Sequence, residues 1–243
     1  MRTLPFDSMI AVASSSCCRG VRWRSSGGSS KQWLRRQQRD AFARGDHRSR
    51  AYFKLKQLDE KHRLFSNIGG AVVIDLGAAP GGWSEYVASR RQRQQQHAIG
   101  GVVAVDLLRM APLSGVVRIE GDCRDEAVLS EIAAAARGLP VRWVLSDMAP
   151  NTSGDGPTDH FRSLDLCMLA LSFATTPVSH QENASPLLSP GGGFLCKLFR
   201  GCDERALSEA ALEAGFAKAQ WVKPPASRSE SKEVFLLASG FRS

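Results

Sequence analysis

The chain has 243 residues, of which 43% are hydrophobic and 23% charged, values typical of one α/β domain with a substantial core. No apolar run approaches the roughly 18 residues that a bilayer-spanning helix needs, so composition argues against a transmembrane protein. The net charge of +8 comes from one end, because residues 1–63 hold 15 Lys/Arg and 5 Asp/Glu whereas the remainder holds 17 and 19. This asymmetry indicates a targeting segment, a nucleic-acid-binding arm, or both.

The first 30 residues are rich in Arg and Ser and contain a single acid, Asp7. That composition is typical of a mitochondrial transit peptide, with a disordered basic tail as the simpler alternative. The folded domain is therefore expected to cover residues 31–243. Its first part, residues 31–63, stays basic and interleaves aromatic side chains, which predicts an RNA-binding arm.

A helix is predicted within this arm, over residues 48–62, from the spacing of its apolar side chains. Lys54 and Lys56 fall away from the apolar Leu55 in that pattern. On spacing alone, both lysines are expected to lie on the solvated face of the helix.

From residue 71 the chain alternates apolar runs with amphipathic stretches, which predicts a mostly parallel sheet with helices on both faces. The link between the last two predicted strands is too short for a crossover helix and favours an antiparallel pair at the sheet edge. Two polar segments, 90–101 and 176–193, are predicted to be surface loops. The predicted strands are 71–76, 101–107, 116–120, 141–147, 193–199, 217–223 and 233–239, and the predicted helices among them are 83–93, 125–137, 159–175 and 203–214.

A strand, a Gly-rich turn and a helix start follow one another in the segment VIDLGAAPGGW, residues 73–83. Such a turn lets a nucleotide-like ligand approach the backbone at the carboxyl end of a strand. Gly77 and Gly82 fit the first and third glycines of a dinucleotide fingerprint, but Ala79 occupies the second, where a Cβ would crowd a pyrophosphate. An NAD-dependent dehydrogenase is therefore the weaker interpretation, and S-adenosylmethionine, which lacks phosphates, is the better candidate ligand.

Acidic residues stand at the ends of the next predicted strands. Asp106 ends the second strand, where a carboxylate could accept both hydroxyls of a ribose, and Asp122 follows the third, where it could accept an adenine amino group. Asp147 closes the fourth strand, which lies beside the first at the switch point where such sheets bind ligands. Each acid taken alone is equally compatible with a solvated strand end or a capping residue.

Lys197 lies inside the apolar run 194–199, and a lysine is almost never buried without a partner. Glu233 opens the last predicted strand. The two lysines and two carboxylates Lys54, Asp147, Lys197 and Glu233 could satisfy one another and form a proton-handling centre.

The six cysteines form no CxxC pair and do not cluster with histidines at ligand spacing. Reduced thiols are therefore expected, and no metal site is predicted.

Four segments carry a resemblance to a known family: RSRAYFKL at 48–55, DLGAAPGGWS at 75–84, SDMAPN at 146–151 and SESKEV at 229–234. They resemble the FtsJ (RrmJ) family of ribose 2′-O-methyltransferases, and the similarity runs over residues 31–240. The resemblance implies a Rossmann-like, class I S-adenosylmethionine-dependent methyltransferase fold, whose seven-stranded, mostly parallel sheet has an antiparallel last strand.

The same resemblance assigns roles to residues. The family's catalytic Lys-Asp-Lys-Glu tetrad maps to Lys54, Asp147, Lys197 and Glu233. Lys197 is expected to accept or orient the hydroxyl proton, Asp147 to orient Lys197, and Lys54 to position the acceptor. Contacts to S-adenosylmethionine are expected at Gly77, Ala79, Pro80, Gly81, Gly82, Trp83, Asp106, Asp122 and Asp147.

Within the family, the chain is most similar to the mitochondrial members, which methylate a uridine ribose of large-subunit rRNA. The expectation is a monomeric enzyme of the mitochondrial matrix that needs no metal and contacts rRNA through residues 31–63. Two alternatives stay open at this point: a tRNA ribose methyltransferase of the same family, and a non-catalytic ribosome-assembly factor that retains the fold.

Overall fold

A computed structural model describes residues 47–66, 68–93, 101–177, 185–227 and 231–242. The predictions for residues 1–30, and for the arm as far as residue 46, lie outside the described residues. Within the described ranges, no helix is both long enough and apolar enough to cross a membrane.

Strands and helices alternate along the described chain, as the apolar pattern predicts. The strands are β1 (Val72–Leu76), β2 (Val102–Asp106), β3 (Val116–Glu120), β4 (Val141–Ser146), β5 (Leu188–Phe199), β6 (Phe216–Val222) and β7 (Glu233–Phe241). The helices are α1 (Ala51–His62), α2 (Gly82–Arg93), α3 (Glu126–Ala136), α4 (Gly156–Thr175) and α5 (Glu204–Glu213).

All seven strands join one sheet in the order β3-β2-β1-β4-β5-β7-β6. The pairings from β3 through β5 are parallel, whereas β7 runs antiparallel to both β5 and β6. The predicted seven-stranded sheet with a reversed last strand is therefore confirmed, as is the antiparallel pair at its edge. β1 and β4 lie side by side at the centre, where both faces are covered and the strands are almost wholly buried.

The two faces of the sheet pack against different helices. One face carries α3, α4 and α5, with Ile132, Cys167 and Leu207 in its core. The other face carries α1 and α2, with Leu55 and Val87 in its core. Helices on both faces are confirmed, and the α1 side brings the basic N-terminal helix onto the sheet.

The predicted loop 176–193 is wrong at its carboxyl end, because β5 already begins at Leu188. The segment 189–193 has a Ser, Pro and Gly composition that is typical of a loop. The strand accommodates it through a register shift against β4 and through Gly191, whose φ is +73°. Gly193 is required by packing, since a Cβ there would lie 2.4 Å from the Trp143 ring.

Two helix starts also differ from the predictions. α4 begins three residues before the predicted 159, because the Asp155 side chain accepts the Thr158 N–H and Pro157 lies in the first turn. α1 begins at Ala51 rather than 48. Residues 47–49 instead bind α2 and the turn before it, as described below.

Candidate active site

The candidate site lies where β1, β4 and β5 end. The Gly-rich turn follows β1, Asp147 follows β4 and Lys197 stands near the end of β5. Because β7 runs antiparallel, its first residue Glu233 lies at this same edge, paired with Phe199. Side chains that are far apart in the sequence therefore meet at the end of the sheet where the parallel strands terminate.

Lys197 is buried, with 9% of its surface exposed, and it is paired. Its Nζ donates to the Asp147 carboxylate Oδ1 at 2.7 Å and to the Asp147 main-chain oxygen at 2.8 Å. A charged lysine is stable at this depth only because both of these acceptors face it. The structure thus brings together the pair that the sequence singled out.

Lys54 and Glu233 form a second, equally enclosed ion pair. The Lys54 Nζ lies 2.7 Å from each carboxylate oxygen of Glu233. Burial opposes ionisation of Glu233, but the adjacent Lys54 charge and hydrogen bond outweigh it and keep the pKa of Glu233 below its usual value.

The expectation that Lys54 is solvated is wrong, because its side chain is only 13% exposed. Helical spacing identifies the face of α1 that packs into the hydrophobic core. It does not reveal which strand lies beside the helix. Lys56, in contrast, is 44% exposed and pairs with Glu60 one helical turn away.

The two ion pairs lie beside each other on one face of the sheet. Lys197 pairs with Phe235, and Phe199 pairs with Glu233, in the antiparallel β5–β7 register. Lys197 and Glu233 therefore emerge on the same face as diagonal neighbours, and the Lys197 charge also lowers the pKa of Glu233. That face is the one against which α1 packs, so all four predicted residues belong to one cluster.

The Gly-rich turn owes its shape to close approaches of other segments. Gly77 has φ +70°, and a Cβ there would lie 2.6 Å from the Met148 side chain that follows Asp147. Gly82 meets the start of the basic helix, since its Cβ would lie 2.1 Å from the Ser49 Oγ. The turn is thus pressed between the β4 end and α1, with Ala79 and Pro80 at its tip.

Two clefts border this turn. The first, of about 200 Å³, is lined by Asp106, by Ala78 and by residues 108–110 of the β2–β3 connection, among others. The second is narrow, and its lining includes Asp147 and five of the six predicted ligand contacts of the turn: Gly77, Ala79, Pro80, Gly82 and Trp83. The sixth, Gly81, lines neither cleft. Ala78 lines both clefts, so they adjoin.

Asp106 lines the first cleft, and its carboxylate is fixed by the backbone. It accepts the Ala79 N–H at 2.9 Å and the Leu108 N–H at 2.8 Å. Burial raises the pKa of Asp106, and these backbone hydrogen bonds oppose the rise. Asp122 lies differently: its carboxylate is bound by the Arg124 side chain, which lowers its pKa, and it lines neither cleft.

Asp75 is a further acidic residue of the site, which the sequence patterns above do not single out. It is fully buried in β1, and its Oδ2 accepts the Ser84 hydroxyl at 2.7 Å. Burial raises the pKa of Asp75, and the nearby carboxylates of Asp147 and Asp106 raise it further. The Ser84 hydrogen bond opposes them, and the resulting pKa is about 7. A single acid inside the apolar run VVIDL was the available signal.

Three buried polar atoms at the second cleft have no hydrogen-bond partner among the described residues: Ser49 Oγ, Asp75 Oδ1 and Trp83 Nε1. Buried polar groups in proteins are nearly always hydrogen-bonded. A donor, an acceptor and a hydroxyl left unsatisfied around one cleft fit a small zwitterionic or similarly polar ligand.

One group of potential metal ligands occurs in the described chain, formed by His160, Cys202 and Asp203 within 4.8 Å of one another. The His160 Nδ1 lies 2.7 Å from the Phe199 carbonyl, and its Nε2 accepts the Asp203 N–H at 3.3 Å. Both ring nitrogens thus fasten the loop after β5, and the absence of a metal stays a prediction.

The chain is similar in sequence to known proteins. The family model described as FtsJ-like methyltransferase matches residues 47–241. Two curated relatives are both named ribosomal RNA large subunit methyltransferase E. The one from Acidiphilium cryptum is 42% identical over 219 residues, 88% of each chain. The one from Xanthomonas campestris is 43% identical over 218 residues, 88% of this chain and 95% of that one.

A solved structure shows the same fold. It is that of a putative ribosomal RNA methyltransferase from Plasmodium falciparum, which superposes with a TM-score of 0.66. Sequence identity is 23%, and the superposition covers 80% of this chain and 98% of the other.

Proposed function

Because the chain belongs to the FtsJ-like methyltransferase family, we propose that it transfers a methyl group from S-adenosylmethionine to a ribose 2′-hydroxyl of large-subunit ribosomal RNA. The names of its relatives support the rRNA substrate. The observation that carries the proposal is the buried Lys197–Asp147 pair beside the Gly-rich turn.

The residues around the two clefts fit S-adenosylmethionine. The unpaired Trp83 N–H could bind the carboxylate of its amino-acid part, and the unpaired Asp75 oxygen could bind the ammonium. The absence of phosphates suits Ala79, and Asp106 offers a carboxylate for ribose hydroxyls. When bound, the cofactor supplies an electrophilic methyl group on a positively charged sulfur.

Lys197 handles the hydroxyl of the acceptor ribose. Among the described residues its Nζ directs two of its three N–H donors to Asp147. The third direction is left to orient a ribose 2′-oxygen. After one Lys197 proton has passed to solvent, the neutral amine has a lone pair that can accept the hydroxyl proton while the 2′-oxygen bonds to the methyl group. Asp147 fixes the Lys197 side chain, which holds the reacting groups in alignment.

Lys54 and Glu233 support the acceptor. Their ion pair places a fixed positive charge beside Lys197 on the α1 face. A phosphate or hydroxyl of the acceptor nucleotide would meet Lys54 there, while Glu233 holds the Lys54 side chain in place.

The finer features of the proposal rest on the sequence. A uridine target and a mitochondrial ribosome follow from the motif resemblance and from the Arg- and Ser-rich first 30 residues. The basic segment 31–63 supplies phosphate contacts to rRNA, and the enzyme acts as a monomer in the mitochondrial matrix.

The proposal is tested by incubating the protein with labelled S-adenosylmethionine and three substrates: large ribosomal subunits, free large-subunit rRNA and tRNA. We expect 2′-O-methylation at one ribose of the large-subunit RNA, identified by nucleotide mapping. Label in tRNA alone would support the tRNA methyltransferase instead. No label in any substrate, with defective subunit assembly when the protein is absent, would support the assembly factor.

A further inference from the structure

The Arg48 side chain joins three parts of the chain that are far apart in sequence. Its guanidinium donates to the carbonyl oxygens of Pro80 at 3.4 Å and Ala111 at 2.9 Å, and also to that of Pro112. Pro80 belongs to the Gly-rich turn, whereas Ala111 and Pro112 belong to the connection between β2 and β3. One arginine thus ties this connection, residues 107–115, to the turn.

Packing at Gly81 reinforces this tie. A Cβ at Gly81 would lie 3.0 Å from the Arg48 Cδ and 2.9 Å from the Met110 Sδ. Arg48 and Met110 therefore both press on the bare backbone of Gly81, which has φ +113°. The 107–115 connection contacts the turn through side-chain packing as well as through the Arg48 hydrogen bonds.

The backbone on either side of Arg48 is itself anchored. The Arg48 N–H donates to the Glu85 Oε2 at 2.8 Å, and the His47 Nδ1 lies 2.8 Å from the Glu85 Oε1. Ser49 is buried against Gly82. These contacts hold the Arg48 main chain against the start of α2. The guanidinium is therefore directed at the Gly-rich turn and at the 107–115 connection.

The tied connection forms a wall of the larger cleft. Leu108, Arg109 and Met110 line that cleft together with Asp106. The main-chain oxygen of Met110 is also held by Arg118, at 2.6 Å. Arg48 binds the next two residues, 111 and 112, and thereby fixes the far end of the same wall.

We propose that Arg48 is a positioning residue of the cofactor site rather than an RNA contact, and that it holds the 107–115 connection against the Gly-rich turn. The inference rests on the proposed function and corrects the role of one member of the basic segment 31–63, whose half-buried guanidinium donates to carbonyl oxygens of the protein itself. Arg48 also precedes α1, which carries Lys54, so it links the acceptor side of the site to the cofactor side.

Two substitutions separate this role from RNA binding. Arg48→Lys keeps the positive charge but cannot span three carbonyl oxygens, because only the guanidinium offers a planar fork of donors. Arg48→Ala removes both properties. Lys56→Ala is the control, since Lys56 is an exposed lysine of the neighbouring helix that pairs only with Glu60 among the described residues.

The affinity for S-adenosylhomocysteine, measured by calorimetry, should fall about tenfold in both Arg48 variants, the equivalent of one charge-assisted hydrogen bond, and stay unchanged in the control. The KM for the cofactor should rise while kcat at saturating cofactor is retained. The salt dependence of rRNA binding should be the same in Arg48→Lys, Arg48→Ala and the unmodified protein.

The opposite pattern would overturn the inference. If Arg48 contacts a phosphate, Arg48→Ala will lower the slope of log K against log salt by about 0.7 to 0.9, Arg48→Lys will restore it, and S-adenosylhomocysteine affinity will not move. If both variants bind S-adenosylhomocysteine as tightly as the unmodified protein does, the inference about Arg48 is wrong but the proposed function stands. If the unmodified protein does not bind S-adenosylhomocysteine, the proposed function itself is wrong. Melting temperatures show whether an affinity loss merely reflects unfolding, and a loss confined to unfolded samples counts against the inference.

Discussion

A lysine and an aspartate placed side by side in the interior are a poor device for stability. Removing two charges from water costs several kcal/mol per ion, and a buried pair often does no better than apolar side chains of the same volume. Lys197 nevertheless stands between Cys196 and Leu198, which are fully buried in the core. A charged side chain kept at this position, with its partner Asp147 beside a ligand-sized cleft, is best explained by a chemical task.

Asp75 is the residue with the most unusual electrostatics in the site. Its carboxyl is enclosed in β1, and the carboxylates of Asp147 and Asp106 disfavour its ionisation further. The folded protein therefore holds the Asp75 proton up to a pH of about 7, whereas the unfolded chain releases it near 3.8. Because the folded state binds more protons in that window, Asp75 makes stability fall as the pH rises through it.

Asp75→Asn should remove this pH dependence. Relative to the unmodified protein, we expect the free energy of unfolding of the variant to increase between pH 4 and pH 8, by about 4 kcal/mol as an upper bound for a shift of this size. Urea unfolding at both pH values measures the change. Asp125→Asn, at an exposed position, should show no such trend, and a pH-independent difference for Asp75→Asn would contradict the assignment.

At the scale of the elements, the contact between α1 and α2 decides where Lys54 stands. The start of α1 crosses α2 at Gly82, where Ser49 and the Tyr52 N–H occupy the space of a Cβ. Asp59 of α1 adds a buried bond from the Tyr86 hydroxyl of α2 at 2.7 Å. The two helices are therefore packed as one unit, and this packing places Lys54 beside Glu233.

Gly82→Ala should disturb this unit. Gly82 is the first residue of α2, so an alanine there gains less than the roughly 1 kcal/mol of helix propensity that it gains in a helix interior. Its Cβ would force Ser49 and the Tyr52 backbone away, and overpacking of this kind costs about 1 to 3 kcal/mol. We expect a net loss of stability by urea unfolding together with reduced methyl transfer. Gly101→Ala is the matched control, because the nearest atom to its Cβ lies at an ordinary 3.8 Å. Equal behaviour of the two variants would show that the close approach at Gly82 is unimportant.

The sequence predicts the helices and strands better than it predicts the contacts between them. The buried runs of β1 and β4 and the strand-end acids Asp106 and Asp147 could be identified because local patterns carry them. The Lys54–Glu233 pair spans 179 positions, and nothing in the spacing of α1 indicates that β7 lies beside it. The start of β5 was missed because its glycines serve a register shift and the Trp143 ring, which are properties of the assembled sheet.

At the scale of the whole molecule, the sheet order produces the site. The four adjacent strands β2, β1, β4 and β5 bring Asp106, the Gly-rich turn, Asp147 and Lys197 to one end of the sheet, and only the reversal of β7 adds Glu233. The described part of the basic segment, residues 47–63, packs on the same face of the sheet through α1. In the proposed function, the positive charge of this segment would attract a polyanionic substrate toward the end of the sheet at which the two ion pairs stand.

The central claim is that Lys197 handles the ribose hydroxyl in a methyl transfer, and the most direct measurement is methylation of large ribosomal subunits by Lys197→Ala under single-turnover conditions. We expect the rate to fall about a hundredfold or more, the usual contribution of a proton-transfer group, while S-adenosylhomocysteine affinity is retained. Lys218→Ala, which removes an exposed lysine from the edge strand β6, should react at the normal rate. A Lys197→Ala protein that binds the cofactor analogue and methylates the subunit at the rate of the unmodified enzyme would contradict the account.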